Sequence, residues 1–123
     1  MQLEYKSDKV MLQCTSMKEA KKLFGGNNIL AISLLSRINA LESADTIKDI
    51  IVQNSFRFHK LTNKNRRNVE GYFAIDVKSK KEKWRIILQP LDEEKKPYDP
   101  CHIDEIAGIV KIIEIMEVSN HYE

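Results

Sequence analysis

The sequence predicts an α+β domain in which an N-terminal helix hairpin packs on a small antiparallel β-sheet. Three observations lead there. Leu30, Leu34, Ile38 and Leu41 recur at helical spacing and make one continuous apolar stripe. Residues 56–61, 71–77 and 84–88 alternate with period two, as strands do. The helical pattern comes first and the strands follow in a run joined by short polar links, which places helices on one face of an antiparallel meander.

Taken in order, residues 3–5 alternate weakly and read as a first strand. Val10-Met11-Leu12 leave both a longer strand and a helix start open. Ser16-Met17-Lys18-Glu19 has capping-box form, a hydroxyl followed three residues later by Glu. The helix it opens sets Met17, Ala20, Leu23 and Phe24 on one side and Lys18, Lys21 and Lys22 towards water. Gly25-Gly26 stops that helix and Asn27-Asn28 caps the next, so residues 25–28 close a tight αα-hairpin. Residues 46–51 suggest a further short helical turn.

In the strand run, Phe56 and Phe58 share one face while Arg57 and His59 share the other. Phe73, Ile75 and Val77 alternate with Tyr72, Ala74 and Asp76. Trp84, Ile86 and Leu88 face away from Arg85 and Ile87. The link 62–70 is polar and basic, and 78–83 is a charged turn, read as solvated because it sits at the far end of the hairpin from Lys64, Arg66 and Arg67. Residues 89–100 hold all three prolines and the acidic run Asp92-Glu93-Glu94, a loop signal. Residues 103–107 form a short helical turn, and the β-branched run 109–118 reads as a buried strand.

At 123 residues the chain is one domain, 1–123, large enough for a single core. With 42% apolar and 31% charged residues it is neither disordered nor membrane-spanning, since no apolar run approaches ~18 residues. Residues 1–10 lack the apolar core of a secretory signal. Cys14 and Cys101 make no disulfide framework, and Cys101-His102-Asp104 lack the partners of a metal site, so a reducing cytoplasm is expected. The charge is uneven. Residues 56–88 hold ten basic and three acidic groups, a local +7 in a chain of net +2, so the rest sums to −5. Clustered Lys and Arg are the footprint of a nucleic-acid binder.

If the strands pair in sequence, His59 and Arg85 reach a common surface near the loop carrying Lys64, Arg66 and Arg67. With Tyr122, that set has the parts for RNA cleavage without metal or cofactor. The ribose 2′-OH attacks the adjacent phosphate, a base takes the hydroxyl proton, cations hold the phosphorane and an acid protonates the leaving oxygen. Histidine serves as base or acid near neutral pH, arginine binds phosphate bidentately, and tyrosine stacks on a splayed base or donates a proton. Plain structural readings stand beside these: an exposed strand histidine, a sheet-surface cation, a frayed tail.

The order of helix hairpin, Phe58-His59-Lys60-Leu61, basic loop, Gly71-Tyr72-Phe73-Ala74-Ile75, Trp84-Arg85-Ile86 and closing His121-Tyr122 resembles the RelE/ParE superfamily of toxins, and most of all its HigB-type members. The likeness runs from about Ser16 to the end. It implies a RelE-like α+β fold and the toxin of a type II toxin–antitoxin pair, an endoribonuclease that cleaves mRNA on the ribosome. It also implies a cognate antitoxin, often a helix-turn-helix protein, and hence a toxin–antitoxin hetero-oligomer. By the resemblance His59, Arg85, His121 and Tyr122 are the catalytic set, and Lys60, Lys64, Arg66 and Arg67 bind RNA. The chain departs from the family in carrying Asn120-His121-Tyr122, where relatives place an acidic residue with Tyr and His, and in its long acidic loop at 92–105. A ParE-like gyrase inhibitor and a non-enzymatic nucleic-acid-binding module are the alternatives.

Overall fold

The computed structural model describes residues 1–62 and 69–122. Strand β1 (Gln2–Tyr5) leads into three helices, α1 (Asp8–Thr15), α2 (Met17–Leu23) and α3 (Asn28–Ser43). A short helix α4 (Lys48–Ile51) and a 3-10 turn (Asn54–Phe56) return the chain to the sheet. There β2 (His59–Lys60), β3 (Phe73–Asp76) and β4 (Arg85–Leu91) follow, then α5 (Ile103–Ile106) and β5 (Ile112–Ser119).

Capping chemistry fixes the helices. Ser16 serves two of them: its N–H donates to Leu12 O at the end of α1, and its Oγ accepts from Glu19 N at the start of α2. Each such cap contributes ~1 kcal/mol. Gly25 (φ 62) and Gly26 (φ 90) take left-handed conformations that end α2, with Gly26 N–H on Lys21 O. Asn27 then caps α3 through Leu30 N–H. The hairpin expected at 25–28 is therefore present, with α1 added before it. Helix α1 shows only Val10 and Cys14 to the core, four residues apart, while Met11 and Leu12 stay exposed; so thin a stripe left residues 10–12 undecided.

Helix α3 buries Leu30, Ala31, Leu34, Ile38 and Leu41 against Phe73, Ile75, Ile86, Leu88, Ile113 and Ile115 of the sheet. Fully burying one such large side chain is worth ~1.5–3 kcal/mol, so this stripe contributes heavily to the stability of the fold. Of the α2 positions expected inward, Ala20 and Phe24 are buried, Leu23 is half-buried and Met17 lies at the surface.

The five strands run in the order β1-β5-β4-β3-β2. The β2–β3 and β3–β4 pairs are antiparallel, as the meander required, and so is β4–β5. The sheet is not wholly antiparallel, however. β1 lies parallel to β5, with Gln2 opposite Ile112 and Tyr5 opposite Ile115, which makes the sheet mixed. The two strands are distant in sequence, so a short hairpin never constrained their direction.

Strand limits also move. The run 56–61 yields only His59–Lys60, because Phe56 closes the 3-10 turn and Arg57 takes a left-handed conformation (φ 48, ψ 51). β4 continues through Gln89 and Pro90, which were expected in a loop. β3 has already ended opposite Leu88, so the missing Pro90 N–H breaks no ladder while β4 goes on pairing with β5. The last strand starts at Ile112 rather than Ile109, which is 64% exposed. The acidic loop folds around Asp92, whose Oδ1 accepts from Glu94 N and Lys96 N, and Lys95 reaches back to Glu4 of β1 at 2.8 Å. No described helix is long and apolar enough to cross a membrane.

Candidate functional site

Alternation gives the sheet two unlike faces. Phe73, Ile75, Ile86, Leu88, Ile113 and Ile115 meet the helices. The opposite face, which no described helix covers, carries a smaller cluster of Leu61, Val69, Ala74 and Ile87, with Tyr72, Met116 and Tyr122 packed against it. Two cross-strand rows bring polar groups to that face.

The first row runs His59–Ala74–Ile87–Glu117 across four strands. At ~4.8 Å per strand, His59 and Glu117 stand about 14 Å apart at their Cα atoms, facing the same side. His59 Nδ1 lies 2.7 Å from the carbonyl oxygen of Arg57. A carbonyl only accepts, so Nδ1 carries the proton and the lone pair of the neutral ring is on Nε2. Arg57 can offer its carbonyl this way because of its left-handed backbone, a conformation uncommon for a residue with a Cβ.

The second row explains how Arg57 is held there. Asp76, Arg85 and Ser119 are cross-strand neighbours, and all three are buried. The Asp76 carboxylate takes a bidentate fork from Arg57, Nε to Oδ2 at 2.9 Å and Nη2 to Oδ1 at 3.0 Å. Arg85 Nε sits 3.2 Å from Asp76 Oδ1, close enough for an ion pair but off the hydrogen-bond direction. One buried carboxylate thus anchors two guanidiniums, and through Arg57 it anchors the histidine.

Arg85 is not a surface cation. It is 5% exposed, and its Nη1 donates to Ser79 O (3.3 Å), Trp84 O (3.0 Å) and Glu82 O, while Nη2 donates to Lys80 O (3.0 Å). A direct hold on phosphate needs donors turned outward, and these are turned into the 78–83 turn. Arg37 of α3 helps from the other side. Its guanidinium lies 4.5 Å over the Phe56 ring and donates to Val77 O, Lys78 O and Ser55 O. Burial lowers the pKa of both arginines, and the Asp76 charge opposes that shift. Arg37 went unnoticed in the sequence because it lies on the polar side of an ordinary amphipathic helix.

Tyr122 is half-buried and packs on the Ala74 and Ile87 cluster, so the tail folds back over the face that carries His59. His121 is exposed, with its backbone N–H on Ser119 Oγ at 3.1 Å. Lys60 goes elsewhere: it pairs with Phe73, which faces the helices, and so alternates away from His59. Lys64, Arg66 and Arg67 lie outside the described residues.

Glu117 was missed because the alternation of its strand points it the wrong way. Ile113 and Ile115 face the core, and strict alternation would send Glu117 inward after them. A bulge between the partners of Ile87 and Leu88 inserts Met116, returning Glu117 to the outer face and Val118 to the core. A groove of about 630 Å3 along β1, lined by Leu3, Tyr5, Met11 and Glu114 among others, holds none of the expected site residues. Among the described residues no three His, Cys, Asp or Glu side chains gather as metal ligands. No protein-family model, curated protein or solved structure matches the chain.

Proposed function

We propose that this chain is an RNA-cleaving toxin of a type II toxin–antitoxin system, acting on mRNA at the ribosome, as its resemblance to HigB-type RelE/ParE toxins implies. The observation that carries the reading is the fixed tautomer of His59, whose Nδ1–H is held by the Arg57 carbonyl on the sheet face left uncovered by described helices. In a neutral histidine held this way the lone pair is on Nε2, the tautomer in which Nε2 can act as a base towards the ribose 2′-OH. Tyr122 lies on the same face with an aromatic ring for a splayed base.

The roles then differ from those expected of the raw sequence. His59 is the base, and Tyr122, His121 and Glu117 are the groups that can serve the leaving oxygen. Lys64, Arg66 and Arg67 supply backbone contacts, as the resemblance implies. Arg85 acts through the turn it organises, and a helix-turn-helix antitoxin is the partner that silences the protein.

The test is expression of the chain alone, with mRNA integrity mapped by primer extension and gyrase activity followed by plasmid supercoiling. Growth arrest with discrete mRNA cuts and normal supercoiling is expected. Arrest with intact mRNA and lost supercoiling would move the chain to the gyrase inhibitors.

A further inference from the structure

We propose that residues 78–83 form a preorganised phosphate-binding loop that holds the backbone of an RNA strand lying along the sheet face that carries His59. The inference rests on the RNA-directed reading above and adds to it a contact that the sequence alone assigned to solvent.

The turn carries Lys78, Lys80, Lys81 and Lys83 with a single acid, Glu82. Left to itself such a run repels itself and stays extended in water. Here its backbone is gathered around two guanidiniums. Arg85 takes the carbonyls of Ser79, Lys80, Glu82 and Trp84, and Arg37 takes that of Lys78. Val77 N–H on Trp84 O closes the turn at its base. With the carbonyls spent inward, all four lysine side chains are exposed, and no carboxylate among the described residues pairs with any of them. Glu82 is half-buried, and its backbone carbonyl is one of those held by Arg85. The loop therefore shows four outward lysines against one half-buried acid, a net +3. Keeping the Arg85 guanidinium buried is costly unless it is well paired, so these bonds mark a turn whose conformation is specified.

Its position selects the partner. Arg85 and Asp76 point to the face that carries His59, so the loop that closes over Arg85 rims that face at the end where β3 passes to β4. β5 ends opposite Arg85, so the tail bearing Tyr122 departs from the same end. Lysines act as point charges that hold phosphates without reading bases, and a loop already ordered loses little entropy on binding. A membrane is a poorer fit. The loop offers no apolar side chain to insert, and the neighbouring Trp84 is packed edge-on against Phe24 at 4.9 Å.

The experiment measures binding of a labelled, fully 2′-O-methylated oligoribonucleotide, which is not cleaved, across a range of salt. One variant carries Lys78→Gln, Lys80→Gln, Lys81→Gln and Lys83→Gln. A control carries Lys6→Gln, Lys9→Gln, Lys48→Gln and Lys111→Gln, which are also exposed. Each removes four positive charges from a chain of +2, so both end at −2. Each phosphate contact on a single strand contributes about 0.7 to the log–log salt slope, so the loop variant loses up to about 3 while the control keeps its slope. Equal slopes for the two variants overturn the loop assignment. So does an unchanged RNA slope with lost binding to phosphatidylserine vesicles, which gives the loop to a membrane. A loop-dependent slope in a protein that leaves mRNA intact in cells ends the nuclease reading and leaves the loop assignment standing.

Discussion

The two faces of the sheet are built from the same alternating strands and end in opposite chemistry. The covered face is closed by α3 and consists of large aliphatic and aromatic side chains, with Leu34, Ile75 and Ile86 wholly buried. Among the described residues the other face buries four apolar side chains, with Tyr72, Met116 and Tyr122 packed on them, and also carries Arg57, His59, Asp76, Arg85, Glu117 and Ser119. Buried and half-buried polar groups in such number are expensive unless paired, and most of these are paired with one another or with backbone. Stability on the first face comes from area removed from water. On the second it comes from a small number of charge-assisted hydrogen bonds that also position a histidine.

The sharpest way to break this contrast is Arg85→Ala. The residue lies on the polar face, yet its loss leaves Asp76 with one partner and the 78–83 turn without its core. Removing one member of a buried ion pair costs ~3–5 kcal/mol, so denaturant unfolding should show a loss of that size. A loss below ~1 kcal/mol would mean the guanidinium is solvated after all. On the covered face Leu34→Ala should cost ~2–5 kcal/mol through a cavity alone, and should leave RNA binding by the folded protein unchanged. Altered RNA affinity in that variant would couple the two faces.

A third outcome concerns pH and belongs to the covered side. Burial pushes the Cys14 thiol from its ordinary 9.0 up to about 12, and burial also raises Tyr5 to about 12. Both groups stay neutral in the folded chain while the unfolded chain ionises, so the unfolded state binds fewer protons and stability falls as pH rises. The loss begins near pH 9.0 and continues to about pH 12. It reaches at most ~1.4 kcal/mol per pH unit for Cys14, and less for half-buried Tyr5. Cys14→Ala should flatten this alkaline slope in a thermal scan, and an unchanged slope would assign it elsewhere. Smallest of all is the tail. Deleting residues 121–123 removes one half-buried tyrosine from the smaller cluster, so the thermal midpoint should drop by a few degrees, for ~1 kcal/mol or less. A larger drop would make Tyr122 part of the core.

The contrast was partly legible in the sequence. The stripe of Leu30, Leu34, Ile38 and Leu41 and the alternation of Phe73 and Ile75 located the covered face, because period and burial are local properties. The caps at Ser16 and Asn27 were legible for the same reason. What escaped depended on pairing across the sheet. The parallel β1–β5 pair, the bulge at Met116 that turns Glu117 outward and the left-handed Arg57 are set by partners distant in sequence. Arg85 was expected to hold phosphate, and its direction is decided by carbonyls of a turn that had been expected to be solvated. Lys60 sits one position from His59 and so faces the other way, which alternation could have told.

We propose that His59, held through Arg57 and Asp76 on the sheet face opposite the helices, acts on RNA. The most direct measurement is the rate of mRNA cleavage on translating ribosomes by His59→Gln protein whose thermal midpoint matches the parent. Losing a positioned proton-transfer group lowers the rate by ~10²–10⁴-fold, and that is the result expected. Cleavage at the parental rate by the folded His59→Gln protein would contradict the account and take the chemistry away from this histidine.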